Sequence, residues 1–386
     1  MQRSEDRILT THVGSLPRSP EFTDLILQRE RDEHFDTTEF EREAGKAIAH
    51  VVDAQVEAGI DVINDGEQPR PGFSTYVYQR MQGFDGVSER PVLRDMDEYQ
   101  DYAELVTARL KNTAKMMDAP QAVADVSYED LSEAQRECDL FEAASEARAG
   151  RFVERFMSAA SPGIISTTLL NAHYPSHEEY VFALAREMKK EYEFVTSQGY
   201  LLQIDCPDLA MEWSFALKGI TLEDFRRTAA MHIEAINVAT ENIPPDRIRL
   251  HVCWGNYDGP HVYDIALEEI LSTIYEANVG ALSLGFANPR HQHEMAVIKA
   301  NPPPDDMLFL PGVIDSTTNY VEHPEVVAQR IEAAVNAVGD RTKVIASTDC
   351  GFGTFAGWQP VAETVVWEKL RALQEGAAIA SQRLWS

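Results

Sequence analysis

Residues 249–253, RLHVC, are a short aliphatic run that reads as a β-strand, and the chain leaves it through Trp254, Gly255 and Asn256. Similar runs recur along the sequence with helical stretches between them, which is the sequence form of repeated βα units and a parallel sheet. The strands are placed near Ile8–Gly14, Asp61–Asp65, Gly163–Thr167, Tyr200–Asp205, Arg249–Cys253, Ala281–Gly285, Leu308–Ile314 and Val344–Ser347. Amphipathic stretches at Glu39–Ala58, His177–Ser197, Leu222–Thr240, Pro324–Val338 and Pro360–Glu375 supply helices among them. Eight alternating units predict an α/β fold of the (βα)8 TIM-barrel type, with a doubly wound open sheet as the alternative. The whole chain, 1–386, is read as one barrel domain. Residues 69–162, far more than one helix needs, are read as a helical insertion after the second strand. Its mixed, acidic sequence suits a solvated excursion, a contact in a homo-oligomer, or a lid over the barrel mouth.

The chemically distinctive residues stand at or just past these strand ends. His12–Ser15 follow the first, Gly66 and Glu67 the second, Asp205 and Cys206 the fourth, and His251–Cys253 the fifth. Asn288–His291, Asp315 and the pair Asp349, Cys350 follow the sixth, seventh and eighth. In a barrel all of these point to one face, where active sites of this architecture are built.

The formal net charge of −29 repels nucleic-acid phosphate and anionic membrane, so neither is expected as a partner. No stretch approaches the roughly eighteen apolar residues of a membrane span, and residues 1–15 lack the apolar core of a secretion signal. A cytoplasmic protein is expected. Four cysteines, at 138, 206, 253 and 350, are too few and too scattered for a disulfide framework, which leaves thiols or metal ligands.

His251 and Cys253 are two residues apart, so on a strand their side chains point the same way and can reach one ion. Cys350 stands at another strand end of the same predicted rim. An imidazole with two thiolates suits Zn2+, and three protein ligands with a fourth position open are the pattern of a catalytic site. Such a site activates thiols, because a thiol bound to zinc is deprotonated at neutral pH and becomes a held nucleophile.

At this point the chain resembles the carboxy-terminal, catalytic half of cobalamin-independent methionine synthase and the short single-barrel proteins related to it. The resemblance is carried by TTHVGSLPR (10–18), NDGEQPR (64–70), LLQIDCPDLAM (201–211), LHVCWGNYDGPH (250–261), LSLGFANPRHQHE (282–294), LPGVIDSTTNYVEHPE (310–325) and ASTDCGFGTFAG (346–357). It implies that His251, Cys253 and Cys350 are zinc ligands. It also implies that Val13, Gly14, Ser15, Glu67 and Asp205 line the thiol pocket, the two acids holding the amino group of homocysteine.

Three positions depart from the family pattern. Gly285 stands where the family has a glutamate ligand; water, Glu294 or His291 are candidates for the place, and a Cys2His site that receives the substrate directly is the simpler expectation. Thr317 stands where the methionine synthases carry a histidine that handles protons, leaving Asp315, Asn319 or His323 as catalytic candidates. Residues 171–178 have no tryptophan to stack on a pterin. Arg290 is the candidate for binding an acidic group of the substrate, His291 and His293 stand beside it, and Trp254 is a candidate pocket wall.

The expectation is a zinc-dependent thiol S-alkyltransferase that takes a small-molecule thiol and an alkyl donor, in the manner of methyl transfer to homocysteine. Ring opening of an epoxide by coenzyme M, as in the epoxyalkane:coenzyme M transferases, is the alternative within the resemblance. A non-catalytic, zinc-containing binding barrel is the alternative outside it.

Overall fold

A computed structural model describes residues 1–386 apart from 32–35, 117 and 216–218. Eight parallel strands form one sheet: β1 (Leu9–Thr10), β2 (Val62–Ile63), β3 (Glu154–Ala160), β4 (Leu201–Asp205), β5 (Ile248–Val252), β6 (Ala281–Gly285), β7 (Leu308–Ile314) and β8 (Ile345–Thr348). Each strand from β2 to β8 pairs with its sequence neighbour, and β8 pairs with β1. A parallel bridge from Thr11 to Val62 joins β1 to β2 and brings the ring round, so the chain is a (βα)8 TIM barrel.

Side-chain alternation explains why these strands bury both faces. Leu202, Ile204, Leu250, Val252, Leu282 and Leu284 join the core formed with the surrounding helices. The alternate positions face the barrel axis in layers. At the amino-terminal end, Leu9, Ala281, Leu308, Leu310 and Ile345 pack together, as do Val62, Phe156 and Leu201. Above them lie Gln203 and Arg249. The Arg249 guanidinium donates to Thr11 Oγ1 (3.0 Å) and the His12 carbonyl (2.7 Å) and stacks 4.1 Å from the Phe156 ring. Burial lowers its pKa to about 9. The next layer up is the rim, with Asp205 and His251 side by side in register.

Two expectations are corrected here. Gly163–Thr167 is not the third strand; those residues lie in the helix Pro162–Thr168, and the strand is Glu154–Ala160. Ser161 caps that helix by accepting from Ile164 N at 2.9 Å, and Pro162 occupies its first turn, so the β-branched run after it is held helical. The stretch 69–162 is not wholly helical either. It contains an antiparallel pair, Gln82–Asp85 with Gln121–Ser127, and it ends in β3 itself.

The helix Ser132–Glu146 of that stretch is fastened to the barrel by buried charges. Glu137 pairs with Arg70 (2.8 Å) and with Arg80, Arg80 reaches Glu191 (3.1 Å), and Arg70 also donates to the Ser158 carbonyl of β3 (2.9 Å). Each charge meets an opposite one, as burial of ions requires. Among the described residues no helix is long and apolar enough to cross a membrane.

Candidate metal centre and substrate pocket

Strand β5 delivers His251 to the barrel interior, and Cys253 follows one residue past its end. Cys350 arrives from the turn after β8, where Thr348 Oγ1 donates to the Cys350 carbonyl at 2.8 Å. The structure brings the three together: one nitrogen of His251 and the two sulfurs lie within 4.8 Å of one another. Cys350 Sγ is 3.5 Å from His251 Nε2. A tetrahedral zinc with Zn–N of about 2.05 Å and Zn–S of about 2.3 Å separates its nitrogen and sulfur ligands by about 3.5 Å, so the spacing fits. The remaining nitrogen, His251 Nδ1, is buried with no hydrogen-bond partner among the described residues. Cys253 is held low by hydrogen bonds from Cys350 and His251, and Cys350 is held high by Cys253, the behaviour of two buried sulfurs sharing one proton.

Gly285 offers no ligand, and the structure gives the reason. A Cβ there would lie 3.1 Å from Asp349 Cγ, and one on Gly312 would lie 2.2 Å from Asp349 Oδ1. The two glycines make room for the Asp349 carboxylate, which accepts from the backbone N–H groups of Phe286 (2.9 Å), Ala287 (2.9 Å) and Asn288 (2.8 Å). Burial raises Asp349 to about 7 against these three donors. Asp349 therefore pins the loop after β6 to the turn carrying Cys350. Sequence reading placed it at the rim without a role, and the glycines facing it at 285 and 312 are the signal that was available.

The turn Val13–Ser15 abuts both the centre and the acid pair. Phe352 N donates to the Ser15 carbonyl at 2.7 Å, and a Cβ on Gly351 would sit 2.1 Å from Ser15 Oγ. Gly14 has φ +150, and a Cβ there would come within 2.5 Å of Glu67 Oε1. Glu67 itself holds φ 54, a conformation disfavoured for a residue with a side chain. Its Oε1 accepts from Ser158 Oγ at 2.7 Å, while Oε2 is buried without a partner among the described residues. Asp205 is raised well above the usual carboxylate range, first by burial and then by Glu67, with Cys253 adding to the effect. Asp205 thus shares one electrostatic neighbourhood with a second acid and a thiol, and the charge of Arg70 offsets this only in part.

On the other side, a cavity of about 30 Å³ is lined by Cys253, Cys350, Trp254, His261, His291 and Asp315, among others. Thr317 lines it too, so no histidine stands where the resemblance would put one. Trp254 stacks on His291 at 4.0 Å and donates to the Ile265 carbonyl at 2.7 Å.

Three candidates are not brought to this cavity. Arg290 is exposed and donates to the His261 carbonyl (3.1 Å). Asn319 bridges Pro360 O (2.8 Å) and Ala362 N (2.9 Å), and His323 caps the helix Pro324–Val338 by accepting from Glu325 N (3.1 Å). Asp315 reaches the cavity, with Oδ1 taken up by the N–H groups of Thr317 and Thr318 (both 2.9 Å). Neither loop substitute for the missing glutamate ligand joins the Cys253 group: Glu294 accepts from Leu267 N (2.7 Å) and from His291, which is bound in turn to Asp264.

Residues 8–131 match the family described as cobalamin-independent synthase, catalytic domain. The chain is 24% identical to 2-hydroxypropyl-CoM lyase of Xanthobacter autotrophicus, over 99% of this chain and 97% of that protein. It is 22% identical to a methionine synthase of Saccharolobus solfataricus, over 97% and 95% respectively. A B12-independent methionine synthase from Shewanella sp. W3-18-1, solved in complex with selenomethionine, shares the fold with a TM-score of 0.73 at 21% identity, covering 98% of this chain and 99% of that one. The chain is therefore similar to the cobalamin-independent synthases, by a match to their catalytic domain over residues 8–131 and by distant relatives along its whole length. The proteins it resembles are enzymes, methionine synthases and a CoM lyase among them.

Within this barrel, the residues that sequence reading overlooked are His261 and Asp264. His261 lies in the GNYDGPH run, where its signal was masked by the neighbouring His251 and Cys253.

Proposed function

We propose that this barrel is a zinc-dependent thiol S-alkyltransferase that moves a methyl group onto homocysteine or a closely related amino thiol. The observation that carries the reading is the placement of Asp205 within electrostatic reach of both Glu67 and Cys253, beside the His251, Cys253 and Cys350 group. Zinc, when bound by these three residues, supplies a Lewis acid that lets a substrate thiol lose its proton near neutral pH.

The chain's own residues do the rest. Glu67 Oε2, without a partner among the described residues, and Asp205 accept hydrogen bonds from the substrate ammonium, and its charge offsets the repulsion between the two acids. Gly14 keeps the Val13–Ser15 wall close to Glu67. Burial of both sulfurs excludes water from the reacting centre. In the transfer the thiol gives up its proton, a sulfur–carbon bond forms, the bond from that carbon to its leaving group breaks, and the leaving group takes up a proton.

A second reading, opening of an epoxide by coenzyme M, is favoured by Gly285 and Thr317 and by the likeness to the Xanthobacter CoM lyase. The acid pair counts against it, because coenzyme M carries a sulfonate that two carboxylates repel.

Zinc-edge absorption of the loaded protein with each thiol decides. Homocysteine is expected to add one sulfur neighbour to those of Cys253 and Cys350, and coenzyme M none. Addition by coenzyme M alone selects the second reading. Addition by neither, together with a fold that collapses on chelation, selects a structural metal in a binding barrel.

A further inference from the structure

The cavity lined by Cys253 and Cys350 is lined also by His261 and His291, which belong to a second cluster of metal-ligating side chains. His261 Nδ1 and His291 Nε2 each lie 2.8 Å from the same oxygen, Oδ2 of Asp264, and the three atoms fall within 4.8 Å of one another. The other polar atom of each side chain is already engaged. His291 Nδ1 faces Glu294 Oε2 at 2.9 Å, His261 Nε2 faces the Tyr257 carbonyl at 3.0 Å, and Asp264 Oδ1 accepts from Ser214 Oγ at 3.2 Å. This is how metal-binding imidazoles are oriented: a carboxylate or carbonyl holds one ring nitrogen and aims the other at the ion.

Two further observations support a built site. His261 adopts φ 53, left-handed backbone that a residue with a side chain accepts only where its surroundings impose it. Asp264 and Glu294 bring two negative charges to a buried place with two imidazoles, a balance that one divalent cation completes.

The geometry points to a second divalent-cation site formed by His261, Asp264 and His291, facing the cavity it shares with the sulfur centre. Two imidazoles and one carboxylate select a first-row transition ion such as Zn2+, Mn2+ or Fe2+. The ion would offer a docking point for an oxyanion of the alkyl donor. Without an ion, the same carboxylates hold protons on the imidazoles, so the competing occupant is H+.

Cobalt(II) titrated into the metal-free, full-length protein tests this, because a thiolate site gives a sulfur-to-cobalt charge-transfer band and a nitrogen–oxygen site does not. The wild type is expected to bind two equivalents, one with that band and one without. Asp264→Asn and His291→Gln should each bind one equivalent that keeps the band. The double variant Cys253→Ser, Cys350→Ser should bind one that lacks it. Saturation of the wild type at one equivalent bearing the full band overturns the second site, whether or not any variant folds. Absence of the band while one equivalent still binds overturns the sulfur site instead, so the two failures are told apart.

Discussion

The carboxylate of Asp349 stands where a side chain at Gly285 would have to go, 3.1 Å from the Cβ that any other residue would bring. Restoring a glutamate at this position therefore does not restore a ligand. We predict that Gly285→Glu loses about 1–3 kcal/mol of stability through overpacking, and more through the added buried charge. Its zinc content should match the wild type. A variant of unchanged melting temperature whose zinc gains a carboxylate oxygen neighbour would show that Asp349 yields.

The acid pair should act on substrate affinity and not on metal. Glu67→Gln and Asp205→Asn each remove one charged acceptor from the proposed ammonium site, at a cost of about 1.5–3 kcal/mol, or roughly 10- to 100-fold. The expected result is a KM for homocysteine raised by that factor with zinc content unchanged. Loss of zinc in Asp205→Asn at unchanged KM would move Asp205 from the substrate to the metal.

Much of this was legible in the sequence because strand ends carry the chemistry. The two-residue step from His251 to Cys253 and the turn at Cys350 could be read without coordinates, since period-two alternation fixes which side chains share a face. The third strand was not legible for a local reason. Its inner end, Ser158, Ala159 and Ala160, consists of small residues, whereas the β-branched run Ile164–Thr168 lies just beyond and belongs to a helix started by Ser161 and Pro162. The loop and cap bonds of Asn319, His323 and Arg290 were not legible because polar residues near a rim can be caps or loop ties, and only coordinates show whether a side chain turns inward. Asp264 was invisible for the converse reason: its partners, His261 and His291, come from two different loops.

The buried charge network makes residues 132–146 part of the barrel's stability. Glu137→Gln leaves the buried Arg70 guanidinium without its carboxylate partner and Arg80 with Glu191 alone. Breaking a buried pair in this way costs about 3–5 kcal/mol. Urea unfolding should show that loss as a lower midpoint at unchanged slope. A loss below about 1 kcal/mol would mean that the network is exposed to water in solution.

Asp65 supplies a pH dependence whose direction is set by burial. Its Oδ1 accepts from Glu67 N at 3.0 Å, its Oδ2 has no partner among the described residues, and burial followed by the charge of Glu137 raises its pKa to about 7. In the unfolded chain an aspartate ionises near about 3.9. Below that pH both states hold the proton and the site costs nothing. As pH rises from about 4 to 7 the unfolded state releases the proton while the folded state retains it, so stability falls across this window and levels off above it. Asp65→Asn keeps the Oδ1 acceptor and removes the charge. Between pH 5 and 7.5 the wild type is expected to lose on the order of 2 kcal/mol more than the variant, measured by urea unfolding at the two pH values. Parallel curves for the two proteins would mean that Asp65 is already ionised in the fold, its charge carried by Arg70.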